Sequence, residues 1–122
     1  MAKHILLIDD DPDELDIFID ALQGTAAELK FSSAPGVTEA LEMLKVSIPD
    51  CIILDYNMPK INGIEGLVDI KQLPGLQTVP VVMYSATMDE DIMTIAKELG
   101  AAGCVKKPYD MRKLPELMRP YF

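Results

Sequence analysis

A chain of 122 residues, 49% of them hydrophobic and 25% charged, has the size and composition of one globular domain. Its formal net charge of −9 argues against a direct nucleic-acid ligand, because phosphate binding needs clustered Lys and Arg, and it permits cationic ligands or basic partner surfaces. The apolar runs are too short to cross a bilayer, and the N-terminus lacks a signal peptide's apolar core. We therefore expect a cytoplasmic protein without membrane insertion.

Apolar runs and amphipathic segments alternate along the chain. The run 4–8 predicts a strand, and apolar residues at helical spacing from Leu15 to Leu22 predict a helix that stops at Gly24. We predict further strands at 29–34, 51–55, 79–86 and within 102–108, and further helices at 37–46, 64–73 and 89–99. The strand at 29–34 is the most polar, which favours an edge of the sheet.

The last segment, 109–122, has helical spacing but contains Pro115. Proline is tolerated in the first turn of a helix and is costly in its interior. The final helix therefore either begins near Leu114 or is kinked there, and we favour an irregular turn followed by a helix from about Leu114.

Five strand–helix units indicate an α/β fold with a doubly wound parallel sheet covered by helices on both faces. Right-handed crossovers with one reversal of order are typical of the flavodoxin-like sheet, order 2-1-3-4-5, flanked by five helices. We expect residues 1–122 to form this one domain, with no effector domain attached.

Polar residues end four of the predicted strands. Asp9 and Asp10 end the first, Asp55 the third, Ser85 the fourth and Lys107 the fifth. Ligands bind beyond the carboxyl ends of such strands, and the first and third strands are neighbours in this order, so the three aspartates meet at one rim. Carboxylates so close repel one another unless they take up protons, a lysine reaches in or a cation binds.

The residue types at this rim suit phosphate chemistry. An all-oxygen set of carboxylates favours Mg²⁺, with Mn²⁺ as an alternative. Lys107 and Ser85 supply a point charge and a hydroxyl donor for a phosphate group. Asp55, alone at the end of the central apolar strand, is the best-placed nucleophile toward phosphorus.

The acidic residues that follow Asp10 have a simpler interpretation. We assign Asp11, Asp13, Glu14 and Asp16 to the start of the first helix. Asp11 directly precedes Pro12, as a cap precedes the first helical residue, and negative charge is favourable at a helix N-terminus. His4 stands at the start of a strand, on the opposite rim, and is interpreted as structural.

Four segments together give the sequence a resemblance to a known family: ILLIDDDPDE (5–14), CIILDYNMPKINGIEGL (51–67), VPVVMYSAT (79–87) and LGAAGCVKKPY (99–109). In this order and spacing they resemble the receiver domain of two-component response regulators, over nearly the whole chain and in the single-domain form of the chemotaxis regulators. The resemblance implies that Asp55 is the phosphoacceptor and that Asp9 and Asp10 hold Mg²⁺ directly or through water.

The same resemblance extends to the residues around this centre. Asn57 would give its backbone carbonyl to the metal, Ser85 would hydrogen-bond the phosphoryl group and Lys107 would pair with it. Pro108 matches a proline usually preceded by a cis peptide, which would aim the lysine at the site. Gly63 matches the glycine of the loop after the acceptor.

The resemblance also implies a role. Receivers take a phosphoryl group from a phosphohistidine on a sensor histidine kinase or a histidine phosphotransfer protein. Phosphorylation then shifts a pre-existing equilibrium, and a downstream protein, here unknown, reads the face between the fourth and fifth helices. Such a protein assists its own phosphorylation and dephosphorylation and is not an enzyme acting on outside substrates.

Two positions depart from the family's pattern. In this family a Tyr or Phe on the fifth strand usually changes rotamer together with the Thr or Ser at the site. Cys104 stands at that position here, so we do not assume the aromatic part of the switch. Tyr84 is a poor replacement, because adjacent strand residues face opposite sides. Pro115 argues against a straight final helix and dimerisation through it. We expect no effector domain after Phe122, and hence a stand-alone or excised receiver.

Three other functions compete with this interpretation. A Mg²⁺-dependent phosphatase would usually carry a second Asp where this chain has Asn57, and the chain lacks room for a substrate cap. An interaction module independent of phosphorylation would usually have lost one of the acidic residues or the lysine. An FMN protein would need a phosphate loop after the first strand, where DDDPDE would repel phosphate.

Overall fold

Five strands and five α-helices alternate in the computed structural model, which describes residues 2–23 and 28–122. They are β1 (Lys3–Ile8), α1 (Pro12–Leu22), β2 (Leu29–Ala34), α2 (Val37–Val46), β3 (Cys51–Leu54), α3 (Gly63–Gln72), β4 (Val81–Ser85), α4 (Glu90–Glu98), β5 (Gly103–Lys106) and α5 (Leu114–Met118). The predicted helix stop at Gly24 lies outside the described residues. Within those residues, no helix combines the length and apolar composition that a membrane crossing requires.

The five strands form one parallel sheet in the order β2-β1-β3-β4-β5. This is the predicted flavodoxin-like order, and β2 lies at an edge as expected. Ile8 is level with Leu54, and Leu54 with Met83. β1 and β3 therefore end at the same height, and β4 continues two residues further along the same rim, to Ser85.

Successive side chains along each strand point to opposite faces of the sheet, so they pack in two cores, one on each face. On one face Ile8, Leu54 and Met83 pack with α2, α3 and α4. On the other face Ile53 and Tyr84, with their neighbours, pack with α1 and α5. All four residues of β3 are buried, as a strand covered on both faces requires.

Element boundaries differ from the predictions by a few residues. β3 ends at Leu54 rather than at 55, so Asp55 belongs to the loop. β4 begins at Val81 rather than at 79, because Pro80 has no N–H to donate to a neighbouring strand. The last helix begins at Leu114 as predicted, with Pro115 in its first turn, after a 3₁₀ turn at Met111–Lys113.

Gly63 packs against the backbone of the loop that follows β3. Its N–H donates to the Tyr56 carbonyl at 3.0 Å. A Cβ at this position would lie 2.6 Å from Met83 Cε and 2.7 Å from the Asp55 carbonyl oxygen. Only a residue without a side chain fits there, because the opposing backbone would have to move.

Gly63→Ala is therefore expected to lower the free energy of unfolding by about 1–3 kcal/mol, the usual effect of overpacking. Gly36→Ala is the matched control, because a Cβ there would lie 3.5 Å from Glu39 Oε1, an ordinary contact, on extended backbone. Gly36→Ala should change the free energy of unfolding by no more than about 1 kcal/mol. Urea denaturation of both variants measures the difference, and equal stabilities would contradict the close approach at Gly63.

Candidate functional site

Three carboxylates gather where β1 and β3 end side by side. The Asp9 N–H donates to the Ala34 carbonyl at 3.1 Å, and the Asp55 N–H donates to the Ile8 carbonyl at 3.0 Å. These bonds continue the parallel ladders by one residue and fix both side chains at the rim. Asp9 is 8% exposed and Asp55 5%, whereas Asp10 is open to solvent. One oxygen from each carboxylate lies within 4.8 Å of the others.

Lys107 reaches this cluster from the end of β5. Its Nζ lies 3.4 Å from Asp9 Oδ2, 3.5 Å from Glu14 Oε1 and 3.8 Å from Asp55 Oδ2. Its backbone N–H donates to the Ser85 carbonyl at 2.9 Å, which extends the β4–β5 pairing and aims the side chain along the rim.

The peptide bond between Lys107 and Pro108 is trans, since the described residues contain no cis peptide. The expectation of a cis bond is therefore wrong for this structure. The extended backbone held by Ser85 already directs the lysine toward the carboxylates.

Ser85 and Asn57 form a polar pair beside the carboxylates. The Ser85 side chain is completely buried, and its Oγ accepts hydrogen bonds from Asn57 Nδ2 at 3.0 Å and from the Thr87 N–H at 3.3 Å. The Asn57 N–H in turn donates to Asp55 Oδ1 at 3.2 Å. Asn57 thus connects the two groups through its side chain as well as its backbone.

The charges at the rim do not balance. Burial, with the charges of Asp9 and Asp10 adding to it, raises the pKa of Asp55 to about 6, against the opposing effects of Lys107 and the Asn57 N–H. Burial disfavours the Lys107 ammonium, but the carboxylates of Asp55, Asp9 and Glu14 outweigh it, so the pKa of this lysine is raised. One lysine faces more carboxylates than it neutralises, which leaves a site attractive to a cation.

The donor set fits a hard divalent ion. All three candidate side chains offer carboxylate oxygens, the ligands that Mg²⁺ and Mn²⁺ prefer. In an octahedral magnesium site, neighbouring ligand oxygens lie about 3 Å apart and opposite ones about 4.2 Å apart. At least two of the three oxygen pairs would be neighbours in such a site, so the carboxylates, whose oxygens lie within 4.8 Å of one another, would move inward to hold the ion.

Two side chains beside the site, Glu14 and Tyr84, contact Lys107, which their positions in the sequence did not predict. Glu14 was assigned only to the start of α1, yet its carboxylate contacts Lys107. Tyr84 packs on the face with α1 and α5, its ring 5.5 Å from that of Phe18, and Lys107 Nζ lies 5.4 Å from the Tyr84 ring centroid. Cys104, by contrast, packs toward α2–α4 on the other face.

Asp11 and His4 have the structural roles that the sequence predicted. Asp11 Oδ1 accepts from the Asp13 N–H at 3.0 Å and caps α1, whose first residue is Pro12. His4 lies at the opposite rim, where its Nε2 is 2.6 Å from Ser32 Oγ and its N–H donates to Asp50 Oδ2 at 2.7 Å. The Asp11 side chain is not part of the carboxylate cluster, but its backbone N–H donates to Asp9 Oδ1 at 3.0 Å.

Comparison with known proteins agrees with this fold. Residues 5–119 match the response regulator receiver domain. The chain belongs to this family, the receiver domains of two-component response regulators, signalling modules that are phosphorylated on an aspartate.

Three relatives illustrate the match. A transcriptional regulatory protein, the CpxR homolog of Haemophilus influenzae, is 37% identical over 117 residues, which are 93% of this chain and 47% of that protein. The chain thus spans about half the length of that regulator. The phosphorylated cyanobacterial phytochrome response regulator RcpA has a TM-score of 0.85 at 27% identity, covering 98% of this chain and 91% of that one. The Mn²⁺-bound form of response regulator Rcp1 has a TM-score of 0.82 at 26% identity, covering 97% and 90%.

Asp55→Asn is expected to raise the free energy of unfolding by about 1–3 kcal/mol near pH 7.5 in a chelator, because it removes a buried charge that its neighbours disfavour. The folded-state pKa of about 6 lies above the ordinary value of 3.8, so the folded protein binds more protons between these values. Wild type therefore loses stability as pH rises through this window.

Urea denaturation of both proteins at several pH values measures the effect. The advantage of Asp55→Asn should shrink as the pH falls from about 6 and approach zero only below 3.8, where the aspartate is protonated in both states. Asp20→Asn, which makes the same change on an exposed part of α1, is the matched control. A pH-independent difference for Asp55→Asn would contradict the burial of an unfavourable charge.

Proposed function

We propose that residues 1–122 act as one receiver unit that accepts a phosphoryl group on Asp55. The donor would be a phosphohistidine on a sensor histidine kinase or a histidine phosphotransfer protein, and the proposed place of action is the cytoplasm. The observation that carries the proposal is the nearly buried Asp55 carboxylate with Asp9, Asp10, Lys107 and Ser85 around it.

The two oxygens of Asp55 have different surroundings. Oδ1 accepts the Asn57 N–H, and Oδ2 faces Lys107 at 3.8 Å. In the proposed transfer a carboxylate oxygen forms a bond to phosphorus while the bond from phosphorus to the donor's imidazole nitrogen breaks. The imidazole nitrogen leaves with the electron pair and is protonated. Positioning and neutralisation of charge do most of the work in such a transfer.

Lys107 and Ser85 would stabilise the transferred group. The lysine ammonium can pair with one phosphoryl oxygen, and the Ser85 hydroxyl can donate to another, because the two hydrogen bonds at its oxygen are accepted ones and leave its proton free. The domain would in this way assist its own phosphorylation without acting on an outside substrate.

Asp9, Asp10 and Asp55 would hold Mg²⁺, with Mn²⁺ as an alternative, and the Asn57 carbonyl would be a further ligand. The ion would neutralise charge on the carboxylates and on the phosphoryl oxygens. The Mn²⁺-bound form of the related Rcp1 supports a divalent ion in this family. Asp10 is exposed, which suits a ligand that acts partly through water.

The output would be a change of conformation read by a partner protein at the face between α4 and α5. Cys104 leaves this face without the usual aromatic switch on β5, so we assign the first step to Ser85, which lies at the end of β4 next to the acceptor. The partner is a protein of unknown identity, and direct nucleic-acid binding is not proposed.

Acetyl phosphate with Mg²⁺ tests the acceptor. Intact-protein mass spectrometry should find one phosphoryl group on wild type and on the control Asp20→Asn, and none on Asp55→Asn or on wild type in a chelator. Equal phosphorylation of wild type and Asp55→Asn would overturn the assignment.

Lys107→Ala tests the role of the lysine. Because the ammonium pairs with the phosphoryl group rather than with the metal, the variant should still bind Mg²⁺ and become phosphorylated, more slowly by about 10-fold or more. Its NMR spectrum should respond to phosphorylation far less than that of wild type. Lys106→Ala, the exposed neighbour, is the matched control. A normal spectral response in Lys107→Ala would refute the pairing.

A further inference from the structure

Glu14 approaches the proposed phosphorylation site from outside the sheet rim. It lies in the first turn of α1, and its side chain is 29% exposed. Its Oε1 is 3.5 Å from Lys107 Nζ, closer than Asp55 Oδ2 at 3.8 Å. The lysine is thus shared between α1 and the rim in the unphosphorylated protein.

The surroundings of Lys107 make this contact energetically relevant. The lysine side chain is only 17% exposed, and its Nζ also lies over the Tyr84 ring. An ion pair that is partly shielded from water is weakened less by solvent and salt than a surface pair. Among the described residues Lys107 pairs with Asp9, Glu14 and Asp55. Of these, Glu14 alone is not one of the proposed metal ligands.

We propose that Glu14 is a positioning residue that holds Lys107 toward α1 and competes with the phosphoryl group on Asp55 for the ammonium. The inference rests on the proposed function, because it assigns Lys107 to the phosphoryl group. Phosphorylation would require Lys107 to leave Glu14 for the new phosphoryl oxygens. Glu14 would therefore slow phosphorylation and lower the phosphorylated fraction at a given donor concentration.

The test compares phosphorylation rates from acetyl phosphate at saturating Mg²⁺, followed by intact-protein mass spectrometry. Glu14→Gln keeps the shape of the side chain and removes the charge, so we expect a rate about 3- to 10-fold above wild type. Glu14→Asp keeps the charge but withdraws it by one methylene, so it should also be faster than wild type. Asp16→Asn, the same loss of charge at an exposed position of α1, should match wild type.

A double-mutant cycle shows whether the effect passes through the lysine. In the Lys107→Ala background, Glu14→Gln should change the rate by less than about 2-fold, because no ammonium remains to be released. A merely structural role of Glu14 would not produce a gain in rate that depends on Lys107.

The outcomes separate this inference from the proposed function. If wild type is phosphorylated on Asp55 but Glu14→Gln is no faster, only the inference fails. If Glu14→Gln still raises the phosphorylation rate in the Lys107→Ala background, the effect does not pass through the lysine and the inference is overturned. The inference is also overturned if Asp16→Asn raises the rate as much as Glu14→Gln while Glu14→Asp does not, because the effect is then one of net charge. If Asp55→Asn is phosphorylated like wild type, the proposed function fails and the inference fails with it.

Discussion

The parallel pairing of β1 with β3 is the constraint on which the rim depends. Because Ile8 is level with Leu54, the residues that follow, Asp9 and Asp55, leave the sheet side by side. Both backbones remain tied to a neighbouring strand through one more hydrogen bond, so the Cα atoms of Asp9 and Asp55 cannot move apart without loss of such a bond. The sheet therefore holds two negative charges together that would otherwise separate.

This arrangement is unfavourable for the isolated protein and useful for binding. Buried carboxylates without full compensation lower stability, and functional sites commonly retain such features at the expense of stability. Lys107 offsets part of the repulsion but is itself divided among three carboxylates. A divalent cation would supply the positive charge that the resting rim lacks. The phosphoryl group would bring further negative charge, so its transfer would depend on that cation and on Lys107.

Much of this could be predicted from the sequence because it depends on periodicity and on strand ends. The alternation of apolar runs and helical segments fixed the class of fold, and the order of the strands brought Asp9, Asp55, Ser85 and Lys107 to one rim. The side-chain contact of Glu14 was not predictable in this way, because the direction in which a helix presents a residue to the sheet depends on how the helix packs. The Asn57–Ser85 hydrogen bond likewise depends on side-chain rotamers. The peptide bond before Pro108 is trans, although the resemblance to the family predicted a cis bond.

The last two residues of β4 connect the rim to both faces of the sheet. Tyr84 points into the core formed with α1 and α5 and lies beneath Lys107, whereas Ser85 is hydrogen-bonded to Asn57 and to the start of the loop that precedes α4. A change at Asp55 that moved Lys107 would alter its contact with Tyr84 on the α1–α5 side, and one that moved Ser85 would alter its hydrogen bond to the loop before α4. Both contacts begin at the rim itself, so they offer the proposed switch a route to each face that does not pass through position 104.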